Sequence, residues 1–177
     1  TMQGDYRHIF VLFLALAFGA VGFIDDYEKL KKKQNLGLTA GMKLLLQVAV
    51  AALFVFLLRR FGALTPNLYI PFFDIKPIPM PEWLYFSFVI FVIVATVNAV
   101  NLTDGVDGLA TGTSIPVFLF YGAVAFVWGK EFLSLGIFAA GMLGGLFGFL
   151  IYNFNPAKIF MGDTGSMFLG FIISIIA

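Results

Sequence analysis

The chain has 177 residues, 60% hydrophobic and 12% charged, with a net charge of +1 and no cysteine. Soluble domains carry about 25% charge, so this composition excludes an ordinary water-soluble domain and points to an integral membrane protein. A near-neutral chain has no basic footprint for nucleic acid, and without cysteine there is no disulfide framework or thiolate metal site.

A spanning helix needs about 20 apolar residues. Six runs meet or approach that length. The first is His8–Ile24, preceded by "TMQGDYRH", which lacks the basic start and cleavage site of a signal peptide. The second, Leu44–Leu58, is short, but Lys43 can lengthen it by snorkelling. Between the second and third lies "TPNLYIPFFDIKPIPMPEW", with five of the seven prolines. It cannot be helical, and it reads as a short β-hairpin with edge-type prolines on the extracytoplasmic face. Trp83–Thr103 and Gly108–Gly129 form the third and fourth runs, and Pro116 predicts a kink in the latter. Phe132–Ala157 holds one helix plus a loop, and Gly165–Ala177 starts a sixth helix. The expected fold is an all-α, polytopic membrane bundle forming one domain over residues 1–177.

Crossing parity organises the rest. The segments after runs one, three and five are each separated by two crossings, so they emerge on one face. They are "DDYEKLKKK", "NLTDGVDG" and "NFNPAKIFMGDTGS". The lysine cluster Lys29, Lys31, Lys32, Lys33 and Lys43 marks that face as cytoplasmic by the positive-inside tendency. The totals are nearly even, six Lys and Arg on this face against five on the other (Arg7, Arg59, Arg60, Lys76 and Lys130). The assignment therefore rests on clustering. The lone His8 falls on the opposite face and reads as an interfacial residue.

Six of the ten acidic residues map to the basic face: Asp25, Asp26, Glu28, Asp104, Asp107 and Asp163. Carboxylates at a membrane boundary are costly unless paired or bound to cations. Beside lysines and glycines they suit a hard cation and a phosphate, because Mg²⁺ takes one or two carboxylates plus phosphate oxygens. Each motif also has a plainer reading. Asp25 and Asp26 mark the water boundary at the end of a helix. Asp104 and Asp107 cap the fourth helix. Asp163 caps the sixth, where a phosphate near the helix N-terminus is the functional alternative. Three Asp-rich turns sharing one face favour the functional reading over three separate coincidences.

The stretches "GFIDDYEKLKKKQNLGLTA", "NAVNLTDGVDGLATG" and "NFNPAKIFMGDTGS" resemble the three cytoplasmic motifs of the polyprenyl-phosphate N-acetylhexosamine-1-phosphate transferases. Within that family, "NLGLTA" and "VNLTDG" look like the branch that uses a muramoyl-pentapeptide donor. The resemblance implies that undecaprenyl phosphate attacks the sugar-bearing phosphorus of UDP-N-acetylmuramoyl-pentapeptide at the cytoplasmic face of the bilayer. UMP leaves and a lipid-linked diphospho-sugar forms, with Mg²⁺ as cofactor. By resemblance, Asp25 is the base or orienter of the lipid phosphate, Asp26 supports the site and the metal, and Asp163 is the principal Mg²⁺ ligand. Asp104 and Asp107 belong to the nucleotide and metal surroundings, and Asn101 and Asn153 are polar substrate contacts. Phe160 stacks on uracil, and Lys29 and Lys43 contact the diphosphate. Direct attack is the simpler mechanism, since a phosphate monoester is already ionised near neutral pH. A homodimer is compatible with this reading.

Six spans of the ~20-residue kind are fewer than the family's about ten, and the family's early helices and C-terminal histidine-rich loop have no counterpart here. The chain therefore reads as a piece of such an enzyme. A related N-acetylglucosamine-1-phosphate transferase is the alternative within the family. A cation-coupled transporter is the non-enzyme rival and requires acids at mid-membrane. "DTGS" at Asp163–Ser166 matches an aspartic-protease signature, but such proteases are β-rich, and the Gly-x-Gly-Asp of intramembrane proteases fails at Phe160.

Overall fold

Helices account for every apolar run in the computed structural model, which describes residues 7–33, 36–61, 64–68, 77–129 and 132–176, with side chains from residue 11 onward. The helices are α1 (Arg7–Lys32), α2 (Ala40–Arg60), α3 (Glu82–Thr103), α4 (Leu109–Trp128), α5 (Leu133–Asn153) and α6 (Gly162–Ile176). Four of them, α2 to α5, are long and apolar enough to cross a membrane, and α6 is a shorter apolar helix.

Boundaries shift from the sequence reading in an instructive way. The first helix does not end at Asp25 and Asp26 but continues to Lys32. Two i,i+4 ion pairs, Asp25–Lys29 and Glu28–Lys32, support the extra turns, and three lysines in the last turn suit the negative end of the helix dipole. Helix α4 runs unbroken through Pro116. In the proline-rich segment, β1 (Asn67–Leu68) pairs antiparallel with β2 (Ile78–Pro79), Asn67 opposite Pro79. The connecting residues 69–76, including Lys76, lie outside the described residues, as do Lys130 and the side chains of Arg7 and His8.

Helix α6 is the hub. It packs against α1 and α3, and more lightly against α4. Phe171 of α6 is fully buried and stacks on Phe18 of α1 at 4.8 Å between centroids, while Phe54 of α2 meets it edge-on at 5.2 Å. Ile93 and Val97 of α3 and Met167 and Ile172 of α6 complete this core. Two glycines let backbones touch. A Cβ on Gly170 would lie 2.7 Å from Val97 Cα, and one on Gly22 would lie 2.1 Å from the Asp163 carbonyl oxygen. Close approach of this kind, through residues without side chains, drives helix association where lipid offers no hydrophobic push.

The second unit of packing is α4 against α5, joined by small residues. A Cβ on Gly136 would sit 3.4 Å from Ala125 Cβ. Large apolar side chains face outward along the bundle, among them Phe13, Leu45, Phe91 and Phe147. An outward apolar surface is what a lipid environment selects.

Candidate active site

The site is built where the C-terminal turns of α1 and α3 meet the N-terminal turns of α2 and α6. Its centre is Asp163, in the first turn of α6. Asp163 Oδ2 accepts from Lys29 Nζ at 2.7 Å and from Lys43 Nζ at 2.8 Å, and Oδ1 accepts from Asn101 Nδ2 at 2.7 Å. Asn101 also donates to Ser166 Oγ at 2.8 Å, and Ser166 donates to the Gly162 carbonyl. Residues 134, 120 and 62 positions apart in sequence therefore meet on one carboxylate.

Asp25 is buried, with both oxygens engaged. Its Oδ1 accepts from the Leu38 backbone N–H at 2.8 Å and its Oδ2 pairs with Lys29 Nζ at 2.6 Å. The first bond pins the α1–α2 connection against α1. Gly37 makes room for it, since a Cβ there would fall 2.6 Å from Asp25 Oδ1. Thr39 then N-caps α2, its hydroxyl accepting from Met42 N–H, and the first turn aims Lys43 at Asp163. Asp26 turns to α6, where its Oδ2 accepts from both the backbone N–H and the hydroxyl of Thr164, at 3.0 and 2.9 Å. Gly162 precedes this clamp at φ +64°, with its would-be Cβ 3.0 Å from Asp26 Oδ2. Any side chain there would be strained and would crowd the carboxylate.

One oxygen from each of Asp25, Asp26 and Asp163 can be chosen so that all three lie within 4.8 Å of one another. Across an octahedral Mg²⁺, with ligands at about 2.1 Å, oxygens stand about 3 to 4 Å apart, so a small closure would seat the ion. Lys29 already answers the same negative field. Its ammonium reaches all three carboxylates, at 2.6 Å (Asp25), 2.7 Å (Asp163) and 3.4 Å (Asp26). Burial pulls the Lys29 pKa down, but hydrogen bonds to Asp163 and Asp25, and their charges, outweigh it and raise it. Burial likewise works against ionised Asp163. The surrounding Asp25, Lys29, Lys43 and Asn101 outweigh burial and hold it below the ordinary carboxylate range.

Asp104 follows the last turn of α3 and is 8% exposed. The backbone groups of Gly162 and Met161 hydrogen-bond its carboxylate, while Oδ1 has no partner among the described residues. Its pKa is pushed up to about 6, first by burial, against those two backbone hydrogen bonds, and further by the charges of Asp163 and Asp26. A buried, unpaired oxygen beside the acid cluster is a further feature that fits a cation or a donor ligand.

The remaining expected residues gather on the loop after α5. Asp107 Oδ2 accepts from Asn155 Nδ2 and from the Ala157 backbone N–H, both at 3.0 Å. Asn153 is buried, accepting from Thr111 Oγ1 at 2.9 Å and donating to the Ile159 carbonyl at 2.9 Å. Both side chains thus hold the strip that leads to Phe160, whose ring is about half exposed. The capping alternatives fall away. The N-cap of α4 is Gly108, in the left-handed region without a side-chain cap, and Asp163 lies inside α6 rather than before it.

Sequence reasoning missed Gln47, Asn98, Thr164 and Ser166. Gln47 and Asn98 pair one turn beneath Lys43 and Asn101, with Asn98 Nδ2 donating to Gln47 Oε1 at 2.7 Å. The available signal was an amide inside each apolar run, which is costly in a membrane without a partner.

Fold and site together define a polytopic helical membrane protein with an acid–lysine centre at converging helix ends. Residues 8–177 match Glycosyl transferase family 4, and the chain belongs to that family. Among curated proteins it is similar to the phospho-N-acetylmuramoyl-pentapeptide-transferase of Listeria welshimeri, 48% identical over 161 residues, which cover 90% of this chain and 48% of that protein. The protein of the same name from Staphylococcus carnosus is 45% identical over 172 residues, covering 96% and 52%. That from Staphylococcus aureus (strain bovine RF122 / ET3-1) is 47% identical over 171 residues, again covering 96% and 52%. The chain spans about half the length of the curated relatives it matches.

Proposed function

We propose that this chain carries the reaction centre of a membrane transferase of peptidoglycan biosynthesis. The enzyme moves phospho-N-acetylmuramoyl-pentapeptide from UDP to undecaprenyl phosphate at the cytoplasmic face of a bacterial cell membrane. An oxygen of the lipid phosphate forms a bond to the β-phosphorus of the donor. The bond from that phosphorus to the bridging oxygen breaks, and the electron pair leaves with UMP. The names of the similar curated proteins support the donor. The observation that carries the chemistry is one carboxylate, Asp163, receiving two ammonium groups and an amide while lying within ligand reach of Asp25 and Asp26.

Mg²⁺ would be held by Asp163 and Asp26 and would supply charge neutralisation on the diphosphate. Asp25, fixed by Leu38 N–H and Lys29, orients the lipid phosphate from its buried place on α1. Lys29 and Lys43 contact the diphosphate, and Asn101 orients Lys43 and Asp163 together. Asp104 accepts from the nucleotide side. Asp107 and Asn153 shape the strip that presents Phe160 to the uracil ring.

The test is transfer in detergent by the full-length enzyme carrying this sequence. UMP release from UDP-N-acetylmuramoyl-pentapeptide is followed with and without Mg²⁺, with UDP-N-acetylglucosamine as competing donor. Mg²⁺-dependent release from the muramoyl donor alone is expected. Preference for the glucosamine donor would move the chain to the related transferases, and no release from either would end the reading.

A further inference from the structure

Gln47 is fully buried in α2, a helix that is apolar on all sides. Its amide and that of Asn98 in α3 bind each other reciprocally. Asn98 Nδ2 donates to Gln47 Oε1 at 2.7 Å, and Gln47 Nε2 donates to Asn98 Oδ1 at 3.3 Å. Asn98 Nδ2 also donates to the Val94 carbonyl at 2.8 Å, and Met167 Sδ of α6 lies 4.0 Å from Gln47 Nε2. The pair is closed on itself inside the bundle and does not reach the acid–lysine centre.

Its position in the helices is what gives it a task. Gln47 is four residues after Lys43, and Asn98 three before Asn101, so the pair sits one turn below the layer in which Lys43, Asn101 and Asp163 meet. Helix α2 is lightly held, with only Gln47, Ala51, Phe54 and Val55 buried. Apolar patterning alone does not choose the rotation of such a helix, and Ala51, Phe54 and Val55, which pack farther along it, leave the end that carries Lys43 to the amide pair. Neighbouring residues differ by about 100° in direction, so a slip of one position would swing Lys43 off Asp163. Polar pairs between membrane helices add little stability, yet a single buried amide can fix helix register.

We propose that the Gln47–Asn98 pair is a positioning element that sets the rotation of α2 against α3 and so holds the Lys43 ammonium between Asp163 and Asn101. The catalytic part of this inference rests on the proposed role of Lys43, but the geometric part does not.

The experiment uses the full-length protein in detergent and compares wild type with Gln47→Leu, Asn98→Leu, the double variant, and the exchanged pair Gln47→Asn/Asn98→Gln. An amine-acylating reagent labels lysines, and mass spectrometry reads the rate at each. Lys43 labelling rises about three- to tenfold in each Leu variant, the range expected when one polar tie between membrane helices is lost. Lys29 labelling stays at the wild-type rate, because α1 is not held by this pair. The double variant is no worse than either single one, and the exchanged pair restores slow labelling. In the transfer assay, kcat falls with Lys43 release while KM for the lipid phosphate is unchanged. Unchanged Lys43 labelling, or a joint rise at Lys43 and Lys29 signalling general loosening, would overturn the proposal. A wild-type protein without transfer activity would sink the proposed function and leave the labelling result to decide this one.

Discussion

Lys29 Nζ sits 2.7 Å from Asp163 Oδ2, joining the last turns of α1 to the first turn of α6. The same ammonium lies 2.6 Å from Asp25 and 3.4 Å from Asp26, so one side chain answers the field of all three clustered acids. A divalent ion held by those oxygens must share them with Lys29 or send it elsewhere. Like charges this close repel strongly in a partly buried site.

Lys29→Met should therefore separate metal binding from turnover. Affinity for Mn²⁺, measured by calorimetry or electron paramagnetic resonance, is expected to rise about tenfold, because a cation that competes for the same three carboxylates is removed. Transfer is expected to fall if, as proposed, the Lys29 ammonium contacts the diphosphate. Equal or weaker Mn²⁺ binding in the variant would show that Lys29 supports the metal rather than competing with it.

Asp163→Asn keeps the shape and removes the charge. The Lys29 and Lys43 ammonium groups and the Asn101 amide would then face a neutral amide, and two ligand oxygens become one. Turnover is expected to drop at least about 10²–10³-fold, the loss seen when a main electrostatic contributor is removed. Mn²⁺ binding is expected to weaken with it. Wild-type-like turnover would remove the metal assignment.

The convergence of the site was legible in the sequence because parity needs only the number of crossings. Asp25, Asp26, Asn101 and Asp163 follow from counting apolar runs, and the structure brings them together. Side-chain partners were less legible. Nothing in "NLTDGVDG" says that Asp104 looks to the Met161–Gly162 backbone while Asp107, three residues on, holds the loop at Asn155 and Ala157. Those directions depend on a turn geometry, with Gly108 at φ +69°, that apolar periodicity does not encode. Gln47 and Asn98 were hidden for another reason: single amides in long apolar runs leave the hydropathy signal intact. The length of α1 was misread because the charged residues that look like a boundary also make the i,i+4 pairs that extend a helix.

Asp104 gives the site a pH dependence. Its ordinary value of 3.8 is raised to about 6, chiefly by burial, so the folded protein holds this proton more tightly than the unfolded chain. Stability from this group is therefore greatest below about pH 4 and declines as pH rises from 4 to 6, with the full penalty above about 6. In chelator, Asp104→Asn is expected to melt higher than wild type at pH 7.5, with the gap closing toward pH 5. Transfer by the wild type should decline on acidification through about pH 6, as the carboxylate becomes neutral, and the variant should lack that limb. A gap in melting temperature that is constant with pH would show that Asp104 does not titrate in this range.

Gly22 tests whether the backbone contact between α1 and α6 sets the spacing of the three carboxylates. A methyl group at this position would stand 2.1 Å from the Asp163 carbonyl oxygen and 2.6 Å from the Thr164 nitrogen, both backbone atoms that no rotamer change can move. Gly22→Ala must push the start of α6 away from α1, although alanine is the better helix former by about 1 kcal/mol. Overpacking of this kind costs about 1–3 kcal/mol, so a lower melting temperature is expected despite the propensity gain. The displacement falls on Asp163 and Thr164, so Asp26 loses its clamp and the three carboxylates spread. Mn²⁺ affinity and turnover should fall, and Lys43 labelling should rise with them, since Lys43 Nζ is held by Asp163 Oδ2 at 2.8 Å. A variant with raised stability and unchanged Mn²⁺ affinity would mean that α6 is not seated on α1 as described.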